Sequence, residues 1–188
     1  MPKGWWSHTA HTILTPLVGQ VLSNGTSTDT AILFKDKLNF KPPGGGGFAC
    51  HQDVTAYKPE DLVDYHITAL VAIDASTRLK GPFEVARGWS GRREILPHAY
   101  GAVHKEAEDA LEFEEVCVEA GEVVLFDSWI PHRAGRNGSA DSRRAAFLTY
   151  NCKSAGNFHA RYYAMKAELM MKGSMSLNLD FNGTLVVE

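Results

Sequence analysis

Residues 31–53 read AILFKDKLNFKPPGGGGFACHQD, and this stretch decides the fold. Its first eleven residues, 31–41, alternate with period 2, the mark of a half-buried strand. Ile32, Phe34, Leu38 and Phe40 fall on one face, and Lys35, Lys37, Asn39 and Lys41 fall on the other. The apolar face requires a core. The polar face is either a solvated lysine edge that blocks strand addition, or a wall that meets water or anions. Two prolines and four glycines follow, 42–47, and stop any regular element while allowing close approach to a neighbouring backbone.

Working outward, further strands are expected at 49–53, 66–74, 82–86, 113–118, 122–126 and 143–151, separated by clusters of Gly, Pro, Asn and Asp. Many short strands without intervening long helices indicate an all-β sandwich or barrel. Residues 87–110 form a long mixed insertion. Apolar residues at helical spacing predict a C-terminal helix over 160–172, and a weaker pattern predicts one over 11–22.

With 188 residues, 44% of them apolar and 22% charged, the chain is expected to form one domain with one core and one main site. A net charge of −3 with no basic run gives no footprint for nucleic acid. No apolar stretch is long enough to span a membrane. Cys50, Cys117 and Cys152 form no C-x-x-C pair, so the expectation is a cytoplasmic protein without a disulfide framework. The Asn-Gly pairs at Asn24, Asn137 and Asn182 are expected as tight turns rather than glycan sites.

The chemistry is carried by His51-Gln52-Asp53, by His132, and by Arg143 with Arg144. Residues two apart on a strand point the same way, so His51 and Asp53 can offer an imidazole and a carboxylate to one metal. His132, expected just after the 122–126 strand, supplies a third ligand. Two His and one carboxylate leave open positions and suit iron(II) oxygenases. Zinc in a closed or nearly closed tetrahedron is the alternative, in a metal-binding jelly roll without oxygenase activity. An Arg on the next strand can grip a carboxylate through two parallel hydrogen bonds.

The segments at 33–53, 67–75 (ITALVAIDA), 121–137 (GEVVLFDSWIPHRAGRN) and 143–151 (RRAAFLTYN) resemble the phytanoyl-CoA dioxygenase superfamily of iron(II) and 2-oxoglutarate oxygenases. The resemblance implies a double-stranded β-helix, a jelly-roll relative with a few flanking helices. In that scheme 1–30 is a reduced helical N-terminal part, 31–151 the core and 152–188 a C-terminal segment with a helix. The resemblance also implies Fe(II) on His51, Asp53 and His132, with 2-oxoglutarate and dioxygen as co-substrates. The far carboxylate of 2-oxoglutarate would pair with Arg143, with its neighbour Arg144 as the alternative; strand parity lets only one of them face inward. Asn39, Lys41 and Thr68 are further candidate co-substrate contacts. His66 shares the parity of Thr68 and could reach the pocket. The implied reaction is hydroxylation of a C–H in a small substrate, with release of succinate and carbon dioxide. Asp53 favours hydroxylation over halogenation, for which family members replace that carboxylate by a small residue.

The sequence is similar to the branch that hydroxylates small aminophosphonates, with Lys35, Lys37, Arg87 and Arg92 as cations for an anionic group. It departs from the family at Ala134, where many members have Ser, and at Arg87-Gly88, where Pro-Gly is usual.

Overall fold

The computed structural model describes residues 10–23, 30–57, 65–171, 179–180 and 184–187. Trp5, Trp6, Asn24 and Asn182 lie outside them. The first strand, β1 (Ala31–Lys41), is followed by β2 (Phe48–His51), β3 (Ile67–Ala72), β4 (Phe83–Ala86), β5 (His98–Ala99) and β6 (Ala102–Val103). Then come β7 (Phe113–Val116), β8 (Val123–Asp127), β9 (His132–Ala134), β10 (Arg143–Cys152), β11 (Leu179–Asp180) and β12 (Thr184–Val187). The helices are α1 (Thr15–Leu22), α2 (Val54–Tyr57), α3 (Lys105–Asp109) and α4 (His159–Met171), with a wide π turn over Ala10–Leu14.

Two antiparallel sheets form the core, one ordered β11-β12-β1-β10-β3-β8 and the other β2-β9-β4-β7. Their inner faces meet where Phe83 of β4 packs on Phe126 of β8, ring centres 4.8 Å apart, beside Leu70, Ala145 and Phe147. This is the double-stranded β-helix. The outer face of the larger sheet is covered by α1, whose Val18 joins Ala31, Ala69, Leu148 and Tyr150 in a second apolar cluster. Among the described residues no helix is long and apolar enough to cross a membrane.

The expected strands are present within a few residues, and the 87–110 insertion contains the β5–β6 hairpin and α3. Two expectations change. The 31–41 segment does not keep one parity, because a bulge between Leu33 and Lys35 shifts its register against β10. Phe34 and Lys35 are consequently both buried, and after the bulge Lys35, Asn39 and Lys41 are buried while Leu38 and Phe40 are only half-buried. The polar face is an interior wall, not an edge, because β1 lies between β12 and β10. Asn137, expected at a tight turn, lies in an irregular segment and is fully buried; its amide donates to the carbonyls of Lys41, Pro42 and Asp141, latching the glycine-rich loop. At Gly47 in that loop a Cβ would collide with the Ala134 carbonyl, which is the close approach the glycine run allows.

Candidate metal and co-substrate site

His51 and His132 are directly paired across β2 and β9, with ring centres 4.2 Å apart. Asp53 is not on the strand with His51: it lies in the turn between β2 and α2. The turn still brings its carboxylate round, to 3.8 Å from His51 Nε2. Ligand atoms of His51, Asp53 and His132 all lie within 4.8 Å of one another, close enough for one ion.

Local hydrogen bonds fix each ligand. His51 Nδ1 is 2.8 Å from the Ala49 carbonyl and His132 Nδ1 is 2.9 Å from that of Ile130. With Nδ1–H donating to a carbonyl, each Nε2 keeps its lone pair for a metal. Asp127 shapes the turn before His132 by accepting from the backbone N–H groups of Trp129 and Ile130 at 2.8 and 3.0 Å. The N–H of Val54 donates to the Ser128 carbonyl at 2.9 Å, tying the residue after Asp53 to that same turn.

Gln52, which the sequence reading passed over, is 2% exposed and points away from the ligands. Its amide donates to the carbonyls of Glu94 and Trp129 and accepts from the N–H of Leu96. It thereby ties the 94–96 loop to the ligand strand. Alternation within His51-Gln52-Asp53 was the available signal.

The three side chains are held as electron-pair donors. Burial, then His132, push His51 down to about 3, and burial likewise lowers His132, so both rings are neutral donors. Burial alone would raise Asp53, but His132, Lys35, His51 and Lys37 together hold it below the ordinary carboxylate range.

Arg143, Asn39, Lys37, Phe48, Phe83 and Phe147 share one cavity with the three ligands. Its enclosed part is small, about 30 Å³. Arg143 is 4% exposed and donates through Nη1 to Ser76 Oγ and the Gly81 carbonyl, while its Nε has no partner among the described residues. Burial pushes it down to about 10, with no acid among the described residues opposing that. Arg144 instead faces outward, held by both carboxylate oxygens of Asp74 at 2.8 Å. The buried Asn39 Oδ1 is also without a partner among the described residues.

Other candidates lie elsewhere. Lys41 does not line the cavity; its Nζ donates to the Gly135 carbonyl at 2.5 Å. Thr68 is buried one row away, its hydroxyl 2.9 Å from that of Thr149. Arg87 pairs with Glu114 on the exposed surface, and Arg92 stacks on Trp89.

His66 also misses the cavity. It is fully buried against Phe34 and Tyr57, its two ring nitrogens unpartnered among the described residues, and burial lowers it to about 3. Because the folded value lies below the ordinary 6.5, the unfolded chain takes up a proton that the native ring refuses. Stability therefore falls as pH drops from about 6.5 towards 3. His66→Phe is expected to add roughly 1 to 2 kcal/mol at pH 5 and to flatten the slope of melting temperature against pH. An unchanged slope would show that His66 does not carry this linkage.

The family model described as phytanoyl-CoA dioxygenase matches residues 4–145. The chain belongs to the phytanoyl-CoA dioxygenase family. Within it, the chain is 40% identical over 140 residues to a 2-aminoethylphosphonate dioxygenase of the uncultured bacterium HF130_AEPn_1, covering 74% of this chain and 53% of the relative. It is 36% identical over 138 residues to a methylphosphonate hydroxylase of Gimesia maris, covering 73% and 52%. The chain thus spans about half the length of these curated relatives. Its fold is similar to EctD from S. alaskensis, solved with 2-oxoglutarate and 5-hydroxyectoine, at TM-score 0.58 and 23% identity over 66% of this chain and 45% of that one.

Proposed function

We propose that this chain is a 2-oxoglutarate-dependent iron(II) oxygenase that hydroxylates a C–H bond of a small organophosphonate. The observation that carries the reading is a two-imidazole, one-carboxylate cluster opening into the same cavity as a buried guanidinium with no acid partner among the described residues. Such a donor set fits iron(II) with positions left for co-substrate and dioxygen. Bound there, the iron would supply the oxidising chemistry, with conversion of 2-oxoglutarate to succinate and carbon dioxide. The substrate class comes from the phosphonate-acting relatives.

The chain's own residues have distinct tasks in this reading. His51 Nε2, His132 Nε2 and an Asp53 oxygen hold the ion, and the Nδ1–H contacts keep both rings from turning. Arg143 offers a fork to the far carboxylate of the co-substrate, and the Asn39 amide can turn its NH₂ to the same acid. Phe48, Phe83 and Phe147 give the cavity an apolar wall.

Succinate release in air with Fe(II), 2-oxoglutarate and either 2-aminoethylphosphonate or methylphosphonate tests the proposal. Turnover should depend on all three additions. Tight zinc binding with no response to 2-oxoglutarate would overturn it.

Ala134 lies on the cavity wall where many family members carry Ser. A hydroxyl there adds a hydrogen bond to a charged acid, for which about 1.5 kcal/mol is the lower bound. Ala134→Ser is expected to lower the KM for 2-oxoglutarate by roughly tenfold, measured by succinate release. An unchanged KM would mean that another donor already meets that carboxylate.

A further inference from the structure

Every side-chain hydrogen bond that Arg143 makes among the described residues leaves from one nitrogen. Nη1 donates to the Gly81 carbonyl at 2.6 Å and to the Ser76 hydroxyl at 3.3 Å. A guanidinium presents its N–H groups as a planar fork, so filling Nη1 leaves the edge formed by Nε and Nη2. The next residue shows what that edge does when it meets an acid. Arg144 grips both carboxylate oxygens of Asp74 through Nε and Nη2, each at 2.8 Å. On Arg143 the same edge carries no bond among the described residues, and its Nε is buried without a partner among them.

The two acceptors on Nη1 stand at the ends of one turn, residues 76–81, and the fold pins that turn at three places. Ser76, 5% exposed, exchanges both backbone hydrogen bonds with Val118, at 2.8 and 3.1 Å. The N–H of Gly138 donates to the Leu79 carbonyl at 2.7 Å. Gly81 has a φ of +66°, and a Cβ there would collide with the carbonyl oxygens of Gly135 and Arg136. The seat of Arg143 therefore packs on the chain that has just left His132 and β9.

We propose that Ser76 and Gly81 are positioning residues for the co-substrate acid: by occupying Nη1 they turn the Nε–Nη2 edge of Arg143 to the cavity, where it takes the far carboxylate of 2-oxoglutarate side-on. The inference rests on the oxygenase reading above. A guanidinium held at two acceptors is set before the acid arrives, so less freedom is lost on binding. Without the Ser76 hydroxyl only the Gly81 carbonyl remains, a single contact about which the fork can swing. The effect of Ser76 on the co-substrate then passes through Arg143 alone.

The full-length protein loaded with Mn(II) is titrated calorimetrically with 2-oxoglutarate, and succinate release is followed with Fe(II). Ser76→Ala is expected to weaken 2-oxoglutarate binding about fivefold and to raise its KM by the same factor, with kcat at saturation within about twofold of wild type. Ser76→Thr keeps the hydroxyl, and Ser76 borders an open surface groove that can receive the added methyl, so this variant should bind as wild type does. The separating measurement is a cycle with Arg143→Met. In that background Ser76→Ala should change the affinity no further, because the group it acts through is gone.

Wild-type affinity in Ser76→Ala overturns the assignment. An equal further loss in the Arg143→Met background also overturns it, since Ser76 would then support the site at large. If Ser76→Ala binds 2-oxoglutarate normally while the wild type releases succinate, the positioning role fails and the oxygenase reading stands. If affinity depends on Ser76 through Arg143 but no succinate forms with either phosphonate, the role stands and the oxygenase reading fails.

Discussion

Asp53→Ala is expected to abolish succinate formation and to weaken Fe(II) binding by more than about 100-fold. Removing merely an outer partner of a metal ligand costs roughly 10- to 100-fold in affinity or activity, so deleting one of three direct ligands should exceed that range. Two imidazoles alone cannot replace it, since Asp53 is the group that brings negative charge to the cluster. The side chain is 13% exposed and also acts on Lys35 and Lys37, so Ala will cost stability as well. Asp53→Asn, which keeps the volume, separates the two effects. Both variants should fail to bind Fe(II) in anaerobic titration while circular dichroism reports a folded chain below the melting transition. A folded variant that keeps wild-type metal affinity and turnover would remove Asp53 from the ligand set.

The triad was legible because its chemistry is local: His51 and Asp53 are neighbours in sequence, and a histidine following a strand needs only a short turn to meet them. Its detailed placement was not. His132 lies on β9, a strand of three residues, His-Arg-Ala, too short to show any period. Asp53 comes beside the two histidines from a turn whose next residue, Val54, donates its N–H to the Ser128 carbonyl, a contact that no spacing reveals.

The inner wall gives the clearest case of a pattern that is real but ambiguous. Alternation predicts β1, yet which face is inside depends on its neighbours, and the bulge after Leu33 puts Phe34 and Lys35 both inside. Lys35, Asn39 and Lys41 then line the interior wall. Lys41 and Thr68 share that wall, but the Gly135 carbonyl and the Thr149 hydroxyl occupy them. The choice between Arg143 and Arg144 was likewise fixed at long range, by Asp74 holding Arg144 outside.

Arg143→Met should raise the KM for 2-oxoglutarate by about 100-fold without a matching loss of stability. Two parallel charge-assisted hydrogen bonds to a carboxylate, at roughly 1.5 kcal/mol or more each, give that factor. Stability provides the sign that separates a ligand-binding arginine from a structural one. Had Arg143 been half of a buried ion pair, its removal would strand a carboxylate and cost about 3 to 5 kcal/mol. Instead burial lowers its pKa to about 10 with no acid among the described residues opposing, so no carboxylate among them would be stranded by its loss. Methionine removes that charge and gives up the hydrogen bonds to Ser76 and Gly81, each worth about 1 kcal/mol. The net change in unfolding free energy should be close to zero. Arg143→Lys, keeping charge but losing the fork, should fall between wild type and Met in KM. A Met variant that melts far earlier yet binds 2-oxoglutarate normally would mean the guanidinium serves the fold, and the acid of the co-substrate is held elsewhere.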